Sequence, residues 1–377
     1  MEQTFLRTGQ AHDFDSAPAR LTIDLGAITG NWLEMARLSA PARAAAVVKA
    51  DAYGLGAVRV GQVLAAAGCR DFFVATPEEG AILRAALPDA RIFVLFGLWR
   101  GVERIFFDNN LIPVLASADQ LEVLISSGRD HPYALQIDTG MSRLGMTLDE
   151  ARELAASGTR PPMHLLSHLA CPDDPAQTMS RRQLESFQQV RQIFSGVESS
   201  LSSSEGTLLG GDYLCEIIRP GIALYGGLIP SHLAGRLRPV VKAEARVLQV
   251  RNVKKGDSAS YGATHIFKAD SRVAIVGAGY ADGWLRTASG SGVPARENGS
   301  RGAVGFVAGQ RVPVVGRITM DLTTFDIGAL DKDAVRPGDY IELFGENLPL
   351  DEMARAAGTI GYEVLTSLGS RYARRYI

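Results

Sequence analysis

Between Leu21 and Tyr225 short apolar runs recur, separated by segments whose apolar residues fall at three- and four-residue spacing. That rhythm restricts the chain to repeated βα units, because neighbouring parallel strands need a crossover and the crossover is usually a helix. The candidate strands are LTIDL, AAAVVK, DFFVAT, RIFVLF, LIPVLA, YALQID, MHLLSH and a short element near Leu201. Amphipathic stretches such as GAITGNWLEMARLSA, AVRVGQVLAAAG, EEGAILRAAL, ADQLEVLISSG and RRQLESFQQVRQIFSG lie between them. Eight strands with helices over about two hundred residues is the size of a TIM (β/α)8 barrel.

Past RPVVKAEARVLQV the helical periodicity fades, and β-branched runs punctuated by glycine take over: RVAIVGAGYADG, RGAVGFVAGQRVPVVGR, TTFDIG and GDYIELFG. The expected organisation of this α/β protein is therefore a mobile leader at 1–19, a barrel at 20–239 and a mostly antiparallel β domain at 240–377. The leader has no apolar core flanked by basic residues and does not read as a secretory signal. No run of about twenty uncharged apolar residues marks a membrane span. Thirty-nine Lys and Arg against 41 Asp and Glu leave a net charge of -2 and no broad basic field, which argues against nucleic acid or an anionic membrane as partners. Cys69, Cys171 and Cys215 are scattered, odd in number and without zinc-ligand spacing, so reduced thiols, no metal site and a cytoplasmic address are expected.

In a barrel of this kind catalytic groups gather at the C-terminal ends of the strands. Lys49, Asp138 and His168 each fall at such an end. Lys49 has two readings: a snorkelling side chain whose stem covers apolar surface, or an amine nucleophile freed of its proton by low polarity. Asp138 reads equally as a cap of the following turn, and His168 as a satisfied interior imidazole.

Eight motifs in order, VVKADAYGLG, IDTGMSRLG, LLSHLA, IIRPGIALYG, SYGATH, VGAGYADGW, VGRITMDL and TIGYEVLTSL, span both halves of the chain. From about Arg20 to the C-terminus the sequence resembles alanine racemase, a pyridoxal-phosphate enzyme of fold type III. The resemblance implies that Lys49 holds pyridoxal 5'-phosphate through an imine and acts as one catalytic base. It further implies that Tyr261, from the β domain of a partner subunit in a homodimer, is the second base on the opposite face. Racemisation needs proton traffic on both faces, and a phenol, which ionises only near pH 10, needs neighbours to serve as a base. A hydrogen-bond chain from Tyr261 through His168 to Arg219 is implied in that role.

By the same resemblance Arg219 faces the cofactor's ring nitrogen, where a permanently charged guanidinium offers no acceptor for the ring's proton. Tyr53, Ser204, the backbone at Gly221 and Ile222, and Tyr362 are implied on the phosphate side. Arg143 and Met320 are implied beside the substrate, with Asp321 as support for Met320, and Tyr280 in the access channel. The sequence departs from the pattern at Gln136, where many members carry a carbamylated lysine that balances the arginine at Arg143. A neutral amide brings no charge, so Arg143 is expected either to be held by Gln136 or to pair with a small anion. Ser203 stands where asparagine is common, and Leu55 replaces a frequent histidine. Rival readings are a racemase of other or broader preference, and a cofactor-binding barrel without catalysis; the latter lacks SYGATH and GRITMD. A decarboxylase or aldolase would need different motifs or a metal cluster.

Overall fold

The computed structural model of the protein describes residues 13–174, 176–227, 233, 235–293 and 302–377. They fall into two units, one built on residues 28–224 and the other on the chain up to 27 together with 238–377. Residues 1–12 of the expected leader lie outside the described residues.

β1 (Ala19–Ile23) corrects two expectations at once. LTIDL does not open the barrel: β1 pairs antiparallel with β11 (Val241–Val253) and parallel with the C-terminal strand Ala373–Tyr376. Residues 13–19 are not a free leader either, because Ala17 and Ala19 are buried and the Tyr340 hydroxyl donates to the Ala17 carbonyl. The physical reason is legible in the strand itself. Leu21 and Ile23 are buried while Arg20 and Thr22 are only partly so, the alternation of a sheet covered on one face, whereas barrel strands are covered on both.

The barrel strands are β2 (Arg43–Ala44), β3 (Ala46–Val47), β4 (Asp71–Val74), β5 (Arg91–Val94), β6 (Ile112–Leu115), β7 (Ala134–Gln136), β8 (His164–Leu166), β9 (Glu198–Ser200) and β10 (Ile217–Ile218). β3 to β9 form a seven-stranded parallel sheet in sequence order. β10 closes it. Glu216 and Arg219 donate their N–H groups to the carbonyls of Ser199 and Ser202 on one side, and Ala45 and Val47 donate to Ile218 and Pro220 on the other. Eight staves therefore result, counting β2 and β3 as one, but the eighth is Ile217–Ile218 rather than LTIDL. Continuous burial of β4 and β6, with Phe72, Phe73, Val114 and Leu115 among the residues, fits strands with helices outside and side chains filling the inside.

The second unit continues through β12 (Ser258–Ala259), β13 (His265–Ile266), β14 (Ser271–Val276), β15 (Val304–Val307), β16 (Gln310–Pro313), β17 (Thr323–Asp326), β18 (Tyr340–Phe344) and β19 (Ala373–Tyr376). β1, β11, β14 to β19 make one sheet, antiparallel at every pairing except β1 with β19. This is the mostly antiparallel domain expected from the sequence, with a strand from the far N-terminus added.

Candidate active site

Val48 follows β3 and donates its N–H to the Phe73 carbonyl of β4, so Lys49 stands just past the hydrogen-bonded end of its strand. The next four residues, Ala50, Asp51, Ala52 and Tyr53, all adopt left-handed helical angles, with φ of 52°, 55°, 53° and 57°. None is glycine, and each costs about 1–2 kcal/mol relative to the right-handed form. Such strain persists only where surroundings enforce it. Here a carboxylate from the first turn of the helix Pro77–Ala86 does so: Glu79 accepts from Ala50 N–H at 2.8 Å and from Ala75 N–H at 2.8 Å. Asp51 adds a bond from Ala57 N–H at 2.8 Å. The turn brings Tyr53 into the interior, 5% exposed, where burial and then the Glu205 carboxylate push its phenol well above the ordinary range.

Burial is the largest influence on the Lys49 amine and lowers its pKa; Arg143 and Arg219 lower it further, and Glu79 opposes them. A snorkelling ammonium held in water would keep its ordinary basicity, so the lowering marks an amine partly withdrawn from solvent. His168 is drawn down to about 3, first by burial and then by Arg219, Arg143 and Lys49, and is neutral at working pH. Lys49, Arg143, His168 and Arg219 are thus one electrostatic group. Arg219 is buried, and its guanidinium donates to Ser200 Oγ and, at 2.5 Å, to the Ser167 carbonyl. Among the described residues no hydrogen bond joins His168 to Arg219, whose guanidinium donates to Ser200 and Ser167.

Ser204 Oγ accepts from Gly221 N–H at 3.0 Å and from Ala223 N–H at 3.2 Å. Between them the buried Ile222 N–H has no acceptor among the described residues. Gly221 is required: a Cβ there would stand 2.3 Å from Tyr53 Oη. The sequence expectation for Ser204, Gly221, Ile222 and Tyr53 as one cluster therefore has a geometric counterpart, with Ala223 added. The Ile222 N–H, the Ser204 hydroxyl, whose own proton is still available to donate, and the Tyr53 phenol form a set suited to an anionic oxygen. An amine of lowered basicity in the same unit suits a carbonyl. These residues fit pyridoxal phosphate.

Asp138 turns out to be the cap of its turn: Oδ1 accepts from Gly140, Met141 and Ser142 N–H at 2.8, 2.8 and 3.2 Å. Burial would raise its pKa, but these backbone donors outweigh burial and hold the carboxylate below its usual value. Arg143 is exposed and makes no side-chain hydrogen bond or ion pair among the described residues, so Gln136 does not hold it. The Ser203 side chain makes no capping bond to the helix Ser204–Leu209, and Leu55 is wholly buried.

The remaining expected residues belong to the second unit. Tyr261, 73% exposed, sits at the tip of the β12–β13 hairpin, which is tied down by Ser260 Oγ donating to the Arg317 carbonyl at 2.6 Å. Tyr280 and Met320 lie on two loops braced together: Tyr280 and Ala281 N–H donate to the Thr319 and Met320 carbonyls. Arg371 bridges the same loops, binding the buried Asp282 at 2.6 and 2.7 Å and Asp321 at 2.6 Å. Arg371 also reaches the Met320 carbonyl at 3.5 Å. Tyr362, partly buried, is the second residue of the helix Gly361–Thr366. Sequence reasoning missed Glu79, Ser167, Ser200, Ala223 and Arg371. Only Glu79 carried a signal, the Thr-x-x-Glu capping box that starts at Thr76.

Fold and site together define a barrel enzyme with a desolvated amine and an anion cradle at the strand ends, followed by a β unit with an exposed phenol. Residues 23–229 match the family described as alanine racemase, N-terminal domain, and residues 240–376 match alanine racemase, C-terminal domain. The chain is 56% identical over 371 residues to the biosynthetic alanine racemase of Agrobacterium fabrum, covering 97% of this chain and 95% of that protein. It is 42% identical to the catabolic alanine racemase of Rhizobium johnstonii, covering 98% of each. Its structure resembles the crystal structure of alanine racemase from Bartonella henselae with covalently bound pyridoxal phosphate, with a TM-score of 0.87, 37% identity, and coverage of 96% and 100%. The chain belongs to the alanine racemase family, whose members are isomerases.

Proposed function

We propose that the protein interconverts L-alanine and D-alanine with pyridoxal 5'-phosphate, by a two-base mechanism, as a cytoplasmic homodimer. The observation that carries this reading is the amine of Lys49, lowered in basicity by burial and two arginines, in the unit that also holds the Ser204, Gly221 and Ala223 cradle. When bound, the cofactor supplies an electron sink that acidifies the α-hydrogen of the amino acid attached to it.

The chain's own residues do the rest. Lys49 Nζ, short of its ordinary proton affinity, takes up or returns the α-proton on one face. Tyr261 Oη of the partner subunit does the same on the other; its exposure on a hairpin tip supports a role that needs a second chain to complete the site. Ser204, the N–H groups from Gly221 to Ala223, Tyr53 and Tyr362 are assigned to the phosphate. Arg219, which can donate but not accept, would face the ring nitrogen of a bound cofactor and would disfavour its protonation, limiting transamination. Neutral His168 lies beside these cations, and Arg143 is left available for a carboxylate. Met320 is assigned to the substrate and Tyr280 to its access channel, on the two loops that Arg371 braces.

The test is a pair of variants, Lys49→Ala and Tyr261→Ala, each assayed from L- and from D-alanine in deuterated water. Both should lose racemisation, by about two to four orders of magnitude, with different patterns of residual α-hydrogen exchange from the two enantiomers. Full turnover in either variant removes that residue from its role. Rates with serine, lysine and arginine measured beside alanine fix the substrate, because a pocket separates one methylene by only about 1–3 kcal/mol.

A further inference from the structure

The left-handed turn after Lys49 raises a question that the assigned roles leave open: what holds four strained residues in place, and what anion answers the cations around the amine. The same side chain does both. Glu79 Oε1 takes the N–H of Ala50, the residue next to Lys49, and Oε2 takes the N–H of Ala75 at the end of β4. One carboxylate thus ties the first residue of the strained turn to the adjacent strand end, through two bonds strengthened by its charge. We propose that Glu79 is the positioning residue for Lys49, clamping the start of the left-handed turn and standing as the anion opposite the amine. The proposal rests on the reading of Lys49 as the reactive amine.

Electrostatics agree with the geometry. Burial, Arg143 and Arg219 all lower the Lys49 pKa, His168 beside them is neutral, and Glu79 is the carboxylate that raises it. Glu79 therefore opposes the lowering of the Lys49 pKa while fixing the backbone beside the amine. An ordinary role competes with this one. Glu79 also completes a capping box, with Thr76 Oγ1 accepting from Glu79 N–H at 3.2 Å and Glu79 Oε2 accepting from Thr76 N–H at 3.4 Å. The Ala50 bond lies outside the box, and a helix cap does not need it.

The full chain, prepared without cofactor, is labelled with trace acetic anhydride across a pH series, and the Lys49 peptide is quantified by mass spectrometry. Glu79→Gln removes the charge and should increase Lys49 labelling about threefold or more at pH values below the midpoint, as expected for losing one opposite charge nearby. Glu79→Asp keeps the charge and should leave the labelling curve near that of the wild type. Thr76→Ala breaks the capping box from the other side, and should lower thermal stability while leaving the curve in place. A Glu79→Gln curve superimposed on the wild type overturns the proposal, as does a shift equally large in Thr76→Ala or Glu79→Asp. Treatment of the wild type with pyridoxal phosphate and borohydride separates the two readings: no adduct at Lys49 defeats the assignment of the amine, whereas an adduct with unmoved curves defeats only the role of Glu79.

Discussion

Replacing Ser204 by alanine tests the anion cradle without touching the amine. Ser204 is buried, and its Oγ is the acceptor for two backbone donors, Gly221 N–H and Ala223 N–H. Alanine removes one oxygen and leaves both buried donors without their acceptor. A stranded buried donor costs about 1–3 kcal/mol; two that share one small site should together cost about 2–4 kcal/mol. In a domain of 150–250 residues each kcal/mol moves the melting temperature by roughly 2–4 °C, so a fall of roughly 4–16 °C is expected. The neighbouring Ser203→Ala is the control, because that side chain makes no capping bond and should stay within about 0.5 kcal/mol of the wild type. Calorimetry of the cofactor-free chain reads both. A Ser204→Ala fall under about 2 °C, or one matched by Ser203→Ala, refutes the view that the Ser204 hydroxyl satisfies this backbone.

Two further outcomes are expected. His164 on β8 is 1% exposed, has no hydrogen-bond partner for either ring nitrogen among the described residues, and is drawn down to about 3, chiefly by burial and then by Arg219. A folded-state value below the unfolded 6.5 means that the unfolded chain takes the proton first. Stability is then full above about pH 6.5 and falls by about 1.4 kcal/mol per pH unit as acid is added. His164→Phe should therefore gain about 2 kcal/mol on the wild type at pH 5 relative to pH 8, measured by urea midpoints; parallel pH profiles would contradict this. At Gln136, which cannot form a carbamate, racemase activity should be the same in carbon-dioxide-free buffer and in bicarbonate; stimulation by bicarbonate would show that Arg143 is balanced by a carbamate elsewhere.

How far the site was legible depends on what each residue does. Lys49 was singled out by its place at a strand end, and Ser204, Gly221 and Arg219 by the motifs that resemble the alanine racemase family. Glu79 was hidden because its work is done 29 residues away in sequence, on a backbone N–H whose availability follows from the left-handed turn. Ser167 contributes to Arg219 through its carbonyl and Ala223 to Ser204 through its N–H, groups that every residue type shares. His168 was visible as a titratable group at a strand end. Its neutrality was not, since that follows from burial beside three cations.

The sequence by itself determined the βα rhythm, the change to β-rich texture near residue 240 and the order of the chemical motifs, because local periodicity records how many faces of an element are buried. Only the tertiary structure decided that LTIDL joins the second unit's sheet and that Ile217–Ile218 closes the barrel. Strand partners are chosen by hydrogen-bonding edges distant in the chain, and a two-residue strand carries no period to read. The strained turn after Lys49 and the charges that meet at its amine were decided in the same way, by groups from separate βα units that become neighbours only when the barrel closes.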